Sequence, residues 1–275
     1  MTRPTVPSRR ELARRIRVDV VRMTHRARSS HVGSGLSIAD ILAVLYGGVL
    51  RVDPARPDNP DRDRFVLSKG HAAAALYAIL AERGFFPREW LDTFCADGSL
   101  LFGHASHHGV PGVEFSTGSL GHGLSLAVGA AVAGKIDAAD YRVFALLSDG
   151  ECDEGPVWEA ALFAAHHHLD NLVAIVDYNK IQSLGRVEHV LDLEPLAEKW
   201  KAFGWVTQAL DGHDLDALGS TLRSLPLRVG SPTCIVAHTI KGKGVSFMED
   251  KLLWHYRAPD DEEVRRALME LETTA

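Results

Sequence analysis

Asp149, in SDGECDEGP, and Asn179, in VDYNKI, stand about thirty residues apart, and each comes within a few residues of the end of a continuous apolar run (142–147, RVFALL; 172–176, LVAIV). That pairing suits a hard divalent cation such as Mg²⁺, which takes oxygen ligands in near-octahedral array and commonly shares them with phosphates. The Asp149 carboxylate, the Asn179 side-chain oxygen and a main-chain carbonyl just beyond it would supply three ligands, with two diphosphate oxygens and a water for the rest. Gly150 lets a backbone approach a ligand closely. Pro156 fits a first helical turn, where no N–H is needed, and the free N–H groups of such a turn favour a phosphate. A lone Asp-Gly marks only a turn; its place between strand and helix, with an Asn after the next strand, points to a site.

The elements that must hold these residues are legible around them. Residues 156–168 have helical spacing, with Val157, Ala161, Leu162 and Ala165 expected on one side. Two buried strands joined by that helix make a βαβ unit and hence a parallel sheet, with ligands beyond the carboxyl ends of the strands. Around it the periodicity predicts a first amphipathic helix over about 8–28, with Leu12, Ile16 and Val20 in register. A second helix is expected from near Ser37, its N-cap, through residue 50. A short strand FVLS precedes a helix closed by Gly84. An irregular Gly- and His-rich stretch covers 95–121, a helix follows Gly121, a late strand covers 233–239 and a last helix covers 260–272. No repeat, low-complexity tract or linker divides the chain. The expectation is one α/β domain over residues 1–275, a parallel sheet with helices on both faces.

Composition narrows the function. The 275 residues are 46% hydrophobic and 24% charged, with a formal net charge of -6 and no basic block, which gives nucleic-acid binding no support. Cys95, Cys152 and Cys234 form no CxxC pair, which suits a reducing, cytoplasmic setting. The Arg-rich start has no apolar signal core and is interrupted by Glu11 and Asp19, so it reads as a surface helix with a solvated basic face. No apolar run is long enough for a membrane span. Neither a GxGxxG after the early strand nor a Walker loop is present. Most of the fourteen histidines need no function. His166, His167 and His168 are consecutive and cannot face one ligand. His104, His107 and His108 lack the rest of a zinc ligand set. Lys241 and Lys243 read as a solvated basic loop within reach of a phosphate.

SDG followed by YNKIQ resembles the thiamine-diphosphate signature, with Ser148 in place of a usual Gly and Tyr178 before the Asn. The resemblance extends to transketolases through SSHVGSGLSIADIL, FVLSKGHAAAALYAIL, FGHASHH, STGSLGHGLSLAVGAA, DGECDEGPVWEAA, FGWVTQALDGHD, HTIKGKG and WHYRAP, in family order over nearly the whole chain. It implies thiamine diphosphate and Mg²⁺ (or Ca²⁺ or Mn²⁺) as cofactors. Asp149, Asn179 and the Ile181 carbonyl would hold the metal. Gly150, His71 and His255 would contact the diphosphate, and Leu120 and Gly118 would lie by the cofactor rings. His31, His104 and His255 would line the substrate channel and move protons. Glu154 is carried over as a cofactor-site acid and, with Glu159, as a link between paired sites at a subunit interface. His122 stands where many transketolases have Gln.

The resemblance also implies what lies elsewhere. The pyrimidine-binding domain, with the glutamate that activates the cofactor and the arginines that grip a sugar phosphate, is expected on a second subunit together with a C-terminal domain, in an α2β2 heterotetramer. The expected reaction transfers a two-carbon ketol group from a ketose, or ketose phosphate, to an aldose. The alternatives are a subunit that uses a 2-oxo acid, by decarboxylation or acyloin formation, and a binding subunit without catalysis.

Overall fold

The computed structural model of the protein describes residues 7–273; the first six residues of the Arg-rich start lie outside them. Five strands form one parallel sheet: β1 (Arg64–Leu67), β2 (Val143–Ser148), β3 (Leu172–Tyr178), β4 (Val206–Asp211) and β5 (Thr233–His238). Their order across the sheet is β1-β2-β3-β5-β4. Every residue of β2 and β3 is buried, Asp177 included. Alternate residues face opposite ways. Phe144, Leu146 and Ile175 join one apolar cluster, and Ala145, Leu147, Ala174 and Val176 join another. A sheet covered on both faces is why its strands read as unbroken apolar runs rather than alternating ones.

One face is covered by α1 (Arg9–Arg26), α2 (Val32–Ser37), α3 (Ala39–Val44) and α4 (Ala73–Glu82). The other carries α5 (Gly123–Ile136) and α6 (Gly155–His166), and the short α7 (Val187–Val190) and α8 (Leu196–Ala202) follow β3. Finally, α9 (Leu215–Arg223) and α10 (Asp261–Thr273) return to the first face. Leu12, Ile16 and Val20 of α1 are fully buried as their spacing predicts, each contributing about 1.5–3 kcal/mol of burial. Gly84, past the end of α4, takes a left-handed φ of 81° as a helix terminator should. Residues 94–122 contain no helix or strand, as their lack of periodicity implies.

Four local expectations are corrected. Ser37 does not cap a helix: it ends α2, and its buried hydroxyl donates to Asp177 Oδ2 at 2.7 Å, while α3 begins at Ala39 with no side-chain cap. The expected long helix is thus one short helix, α3, followed by a wide turn over Leu45–Val49, opened by Gly48 at φ 129°. The basic face of α1 is not wholly solvated, since Arg17 is buried against Asp40. On α6 the buried face is Val157, Ala160, Ala161 and Ala164, leaving Leu162 61% exposed. Among the described residues no helix is long and apolar enough to cross a membrane.

Candidate active site

The expected site residues converge at the carboxyl end of the sheet. A pocket of about 220 Å³ is lined by His31, His71, His104, Gly118, Leu120, Asp149, Gly150, Asn179, Ile181 and His255. Of the sequence-derived site residues only Glu154 is left out: it is exposed, at the N-cap of α6, with its Cβ against Gly121. A four-residue 3₁₀ turn, Gly150–Asp153, separates the Asp149 turn from α6, so the free amides of that helix do not line the pocket. A larger cavity, about 610 Å³, opens between α1 and the start of α9. It holds none of the expected residues, and we place the chemistry in the smaller, polar one.

The strand ends fix the acidic floor. Asp149, 1% exposed, accepts among the described residues only from two main-chain amides, Gly150 at 2.8 Å and Lys180 at 2.6 Å. Burial, and then the neighbouring Asp177 charge, push its carboxyl up to about 6, the mark of a carboxylate short of positive charge. Lys180 makes the turn with φ at 67°, which puts its amide on Asp149 and brings Ile181 back to the pocket. The Asn179 oxygen accepts from the Ile181 amide at 3.1 Å, and its NH₂ donates to Asp177 at 3.1 Å.

Asp177 is the hidden centre of this floor. Fully buried, it accepts from Lys69 at 2.5 Å and Ser37 at 2.7 Å, and also from Asn179 and Thr239. Burial alone would raise its pKa, but the Lys69 charge together with the hydrogen bonds from Lys69, Thr239 and Ser37 outweighs burial, and the net direction is down. Glu151, also fully buried, ties the loops together: it accepts from Ser68, Gly121 and Ser148 at 2.5, 2.9 and 3.2 Å.

The opposite wall is imidazole. The His31 ring lies 5.1 Å from His71, 6.1 Å from His104 and 4.8 Å from His255, centroid to centroid. His31 holds a left-handed φ of 73° and donates its amide to the His255 carbonyl at 3.0 Å. For a residue with a Cβ that conformation costs on the order of 1–2 kcal/mol, and such strain gathers at functional sites. Burial, with positively charged neighbours, brings His31 down to about 4, His255 down to about 3, and His71 well below its ordinary value. These three rings are therefore neutral near pH 7 in the chain by itself.

Of the two pocket lysines, sequence reading missed Lys69 and misplaced Lys241. Lys69, 0% exposed, pairs with Asp177, and Lys241, 2% exposed, donates to the Ile181 carbonyl at 2.8 Å and to His255 Nδ1 at 2.9 Å. Lys241 is thus a buried pocket residue, not part of a solvated loop; burial, then Lys69, lowers its pKa to about 8. Only Lys243 is partly exposed and paired, with Glu249. Ser34, Ser148, Gln182 and Ser183 complete the lining, and nothing short-range in the sequence marks them.

The donors fit a metal shared with a phosphorylated ligand. Among the described residues no three His, Cys, Asp or Glu side chains could hold a metal on their own. One carboxylate, one amide oxygen and one carbonyl therefore leave anionic ligands to complete the shell. The Ile181 carbonyl already attracts an ammonium group. Gly150 leaves space that a Cβ would close at 2.9 Å from Gln182, and Gly118 lies where a Cβ would stand 3.1 Å from the His104 ring.

Comparison with known proteins agrees with this fold. Residues 8–272 match the family described as "Transketolase, thiamine diphosphate binding domain". The chain is 46% identical over 242 residues to a 6-deoxy-6-sulfo-D-fructose transketolase subunit from Clostridium sp. (strain MSTE9), covering 88% of each chain. It is 43% identical over 252 residues to an apulose-4-phosphate transketolase subunit of Phocaeicola vulgatus, covering 92% of this chain and 89% of the other. The solved transketolase of Campylobacter jejuni superposes with a TM-score of 0.89 at 31% identity, over 99% of this chain and 43% of that one. That of Leishmania mexicana gives 0.87 at 28%, over 98% and 45%. The chain spans less than half the length of these solved transketolases. Fold and match together define a thiamine-diphosphate-binding domain. More particularly, the chain belongs to the transketolase family.

Proposed function

We propose that this chain is the diphosphate- and metal-binding subunit of a two-chain transketolase that moves a two-carbon ketol group from a ketose to an aldose. The observation that carries the reading is one pocket that joins the Asp149–Asn179–Ile181 oxygens to a wall of four imidazoles. The Clostridium and Phocaeicola relatives are named as transketolase subunits for a sulfonated and a phosphorylated sugar. An anion-bearing ketose is accordingly the substrate class.

Asp149, the Asn179 oxygen and the Ile181 carbonyl would hold Mg²⁺, and Lys69, Lys241 and the Gly150 backbone would balance and admit the diphosphate. When bound, thiamine diphosphate supplies the carbon nucleophile and electron sink that break and remake the carbon–carbon bond. Neutral His31 and His255 can accept a hydrogen bond or a proton from a ketose hydroxyl, and His104 faces the same space. Such shuttling contributes typically 10²–10⁴-fold. A bound diphosphate, being anionic, raises the pKa of these rings toward neutrality, where proton transfer is most effective. The hydroxyl-directed wall favours polyol donors over simple 2-oxo acids.

The pyrimidine-binding and C-terminal domains are assigned to a partner subunit in an α2β2 assembly acting in the cytoplasm. The outer faces of α5 and α6 expose Leu126, Leu162 and Phe163, a surface suited to protein contact. The test is co-purification from the native host, followed by assay of ketol transfer with thiamine diphosphate and Mg²⁺. Activity only in the mixture with a co-eluting partner supports the reading. Full turnover by this chain alone, or turnover of pyruvate but not of a ketose phosphate, overturns it.

A further inference from the structure

Lys241 reaches the Ile181 carbonyl from the loop that follows β5. Two side chains from elsewhere grip that loop on either side of it. The Ile240 amide donates to His213 Nε2 at 2.9 Å, and the Lys243 carbonyl accepts from Arg17 Nε at 3.0 Å. Both grips meet at one carboxylate: Asp40 takes His213 Nδ1 at 2.7 Å and the Arg17 guanidinium at 3.2 and 2.5 Å. Asp40 and Arg17 are 6% and 8% exposed, on α3 and α1.

The chemistry of this arrangement is specific. A ring nitrogen that accepts a main-chain N–H carries no proton, so the His213 proton is on Nδ1 and directed at Asp40. A carboxylate fixing the tautomer of an imidazole that serves a functional group is a recurrent supporting device. The His213 turn is itself held, since the His213 amide donates to Asp211 at 2.8 Å and the Gly212 amide to the His238 carbonyl at 2.8 Å.

We propose that Asp40, acting through His213 and Arg17, is a positioning residue that sets Lys241 at the Ile181 carbonyl and so tunes cofactor affinity. None of the three lines the cofactor pocket, and the expected effect is on binding rather than on chemistry. The inference rests on the reading of that pocket as the diphosphate site.

Its test is calorimetric titration of thiamine diphosphate and Mg²⁺ into the two-chain assembly, with amide exchange at Ile240 as a readout that needs no ligand. His213→Ala and Asp40→Asn are expected to weaken binding about tenfold or more. His213→Gln, whose amide keeps one donor and one acceptor, is expected to restore it to within about threefold and to restore slow Ile240 exchange. Wild-type affinity together with wild-type exchange in His213→Ala overturns the clamp, and so does failure of Gln to rescue both. If the unaltered assembly binds no cofactor, the pocket reading falls, and Ile240 exchange in the His213 pair still decides the clamp. If Asp40→Asn does not fold, the same pair decides it alone.

Discussion

Two buried aspartates at opposite ends of the sheet differ in what surrounds them. Asp63, just before β1 at the amino end, is 1% exposed and accepts from the Arg51 and Arg142 amides and from both guanidinium groups, the closest at 2.6 Å. Burial would raise its pKa, yet the two arginines outweigh burial and the direction is down. Asp149, at the carboxyl end and equally buried, has two amides and, among the described residues, no guanidinium or ammonium hydrogen bond, and its carboxyl rises to about 6. The same side chain is a finished structural ion pair at one end and an unfinished one at the other. A buried charge left short of partners is costly, and the natural completion is a cation brought by a ligand.

The largest effects should separate these two roles. Asp63→Asn strands two arginines and should lose about 3 kcal/mol of stability, seen as a fall of several degrees in the thermal midpoint, with cofactor affinity of the folded protein unchanged. Asp149→Asn should do the reverse: stability should change by about 1 kcal/mol, while Mg²⁺-dependent cofactor affinity should drop by about a hundredfold or more. If both variants lose stability equally and both keep affinity, the contrast has no functional meaning.

Glu151 sharpens the comparison because it belongs to neither type. It has no cation on it but three donors, from Ser68, Gly121 and Ser148, and burial raises its pKa. Glu151→Gln turns one acceptor into a donor facing a donor, at a cost of about 1–3 kcal/mol. The expected result is a lower thermal midpoint with a smaller loss of affinity than Asp149→Asn, because Glu151 holds the pocket loops without touching the ligand. An affinity loss as deep as that of Asp149→Asn would make Glu151 a ligand-contacting group.

The floor of the site was legible in the sequence, and its wall was legible only through motif resemblance. Asp149 and Asn179 follow from strand and helix periodicity, because a parallel βαβ unit forces its loops to one end. Lys69, Asp177 and Lys241 were not, because a lysine in a Gly-flanked loop carries no local sign of burial; only long-range packing puts Lys241 beside Ile181. Ser37 illustrates the same limit, since a helix-cap pattern concealed a tertiary bond to Asp177. The edge strand β4 also escaped notice: three of its six residues are exposed and none is fully buried, so it shows neither an apolar run nor clean alternation.

The imidazole wall gives a smaller effect with a definite sign. His31 and His255, lowered to about 4 and about 3, stay neutral in the folded chain while the unfolded chain takes up protons below about 6.5. Their contribution to stability is therefore complete above about pH 6.5 and is lost as pH falls through the folded values. The thermal midpoint of the protein without cofactor should decline between pH 6.5 and 4.5, before most carboxylates titrate. His31→Asn should flatten that decline, and so should saturating thiamine diphosphate. A midpoint level down to pH 4.5 in the unaltered protein would mean that these rings ionise freely in the fold.

The least effect is expected at Glu154, the one inferred site residue outside the pocket. Its carboxylate is exposed on the α6 N-cap and none of the pocket side chains is bonded to it. Unlike Asp149 it is already hydrated, so it has no unmet need for a cation. Glu154→Gln should leave cofactor affinity within about twofold, since removing an exposed charge removes little. Measured beside Asp149→Asn in the same titration, that outcome confines the cation requirement to buried carboxylates at the strand ends. A tenfold loss would instead mean that assembly with other chains buries Glu154 and extends the site past Gly121.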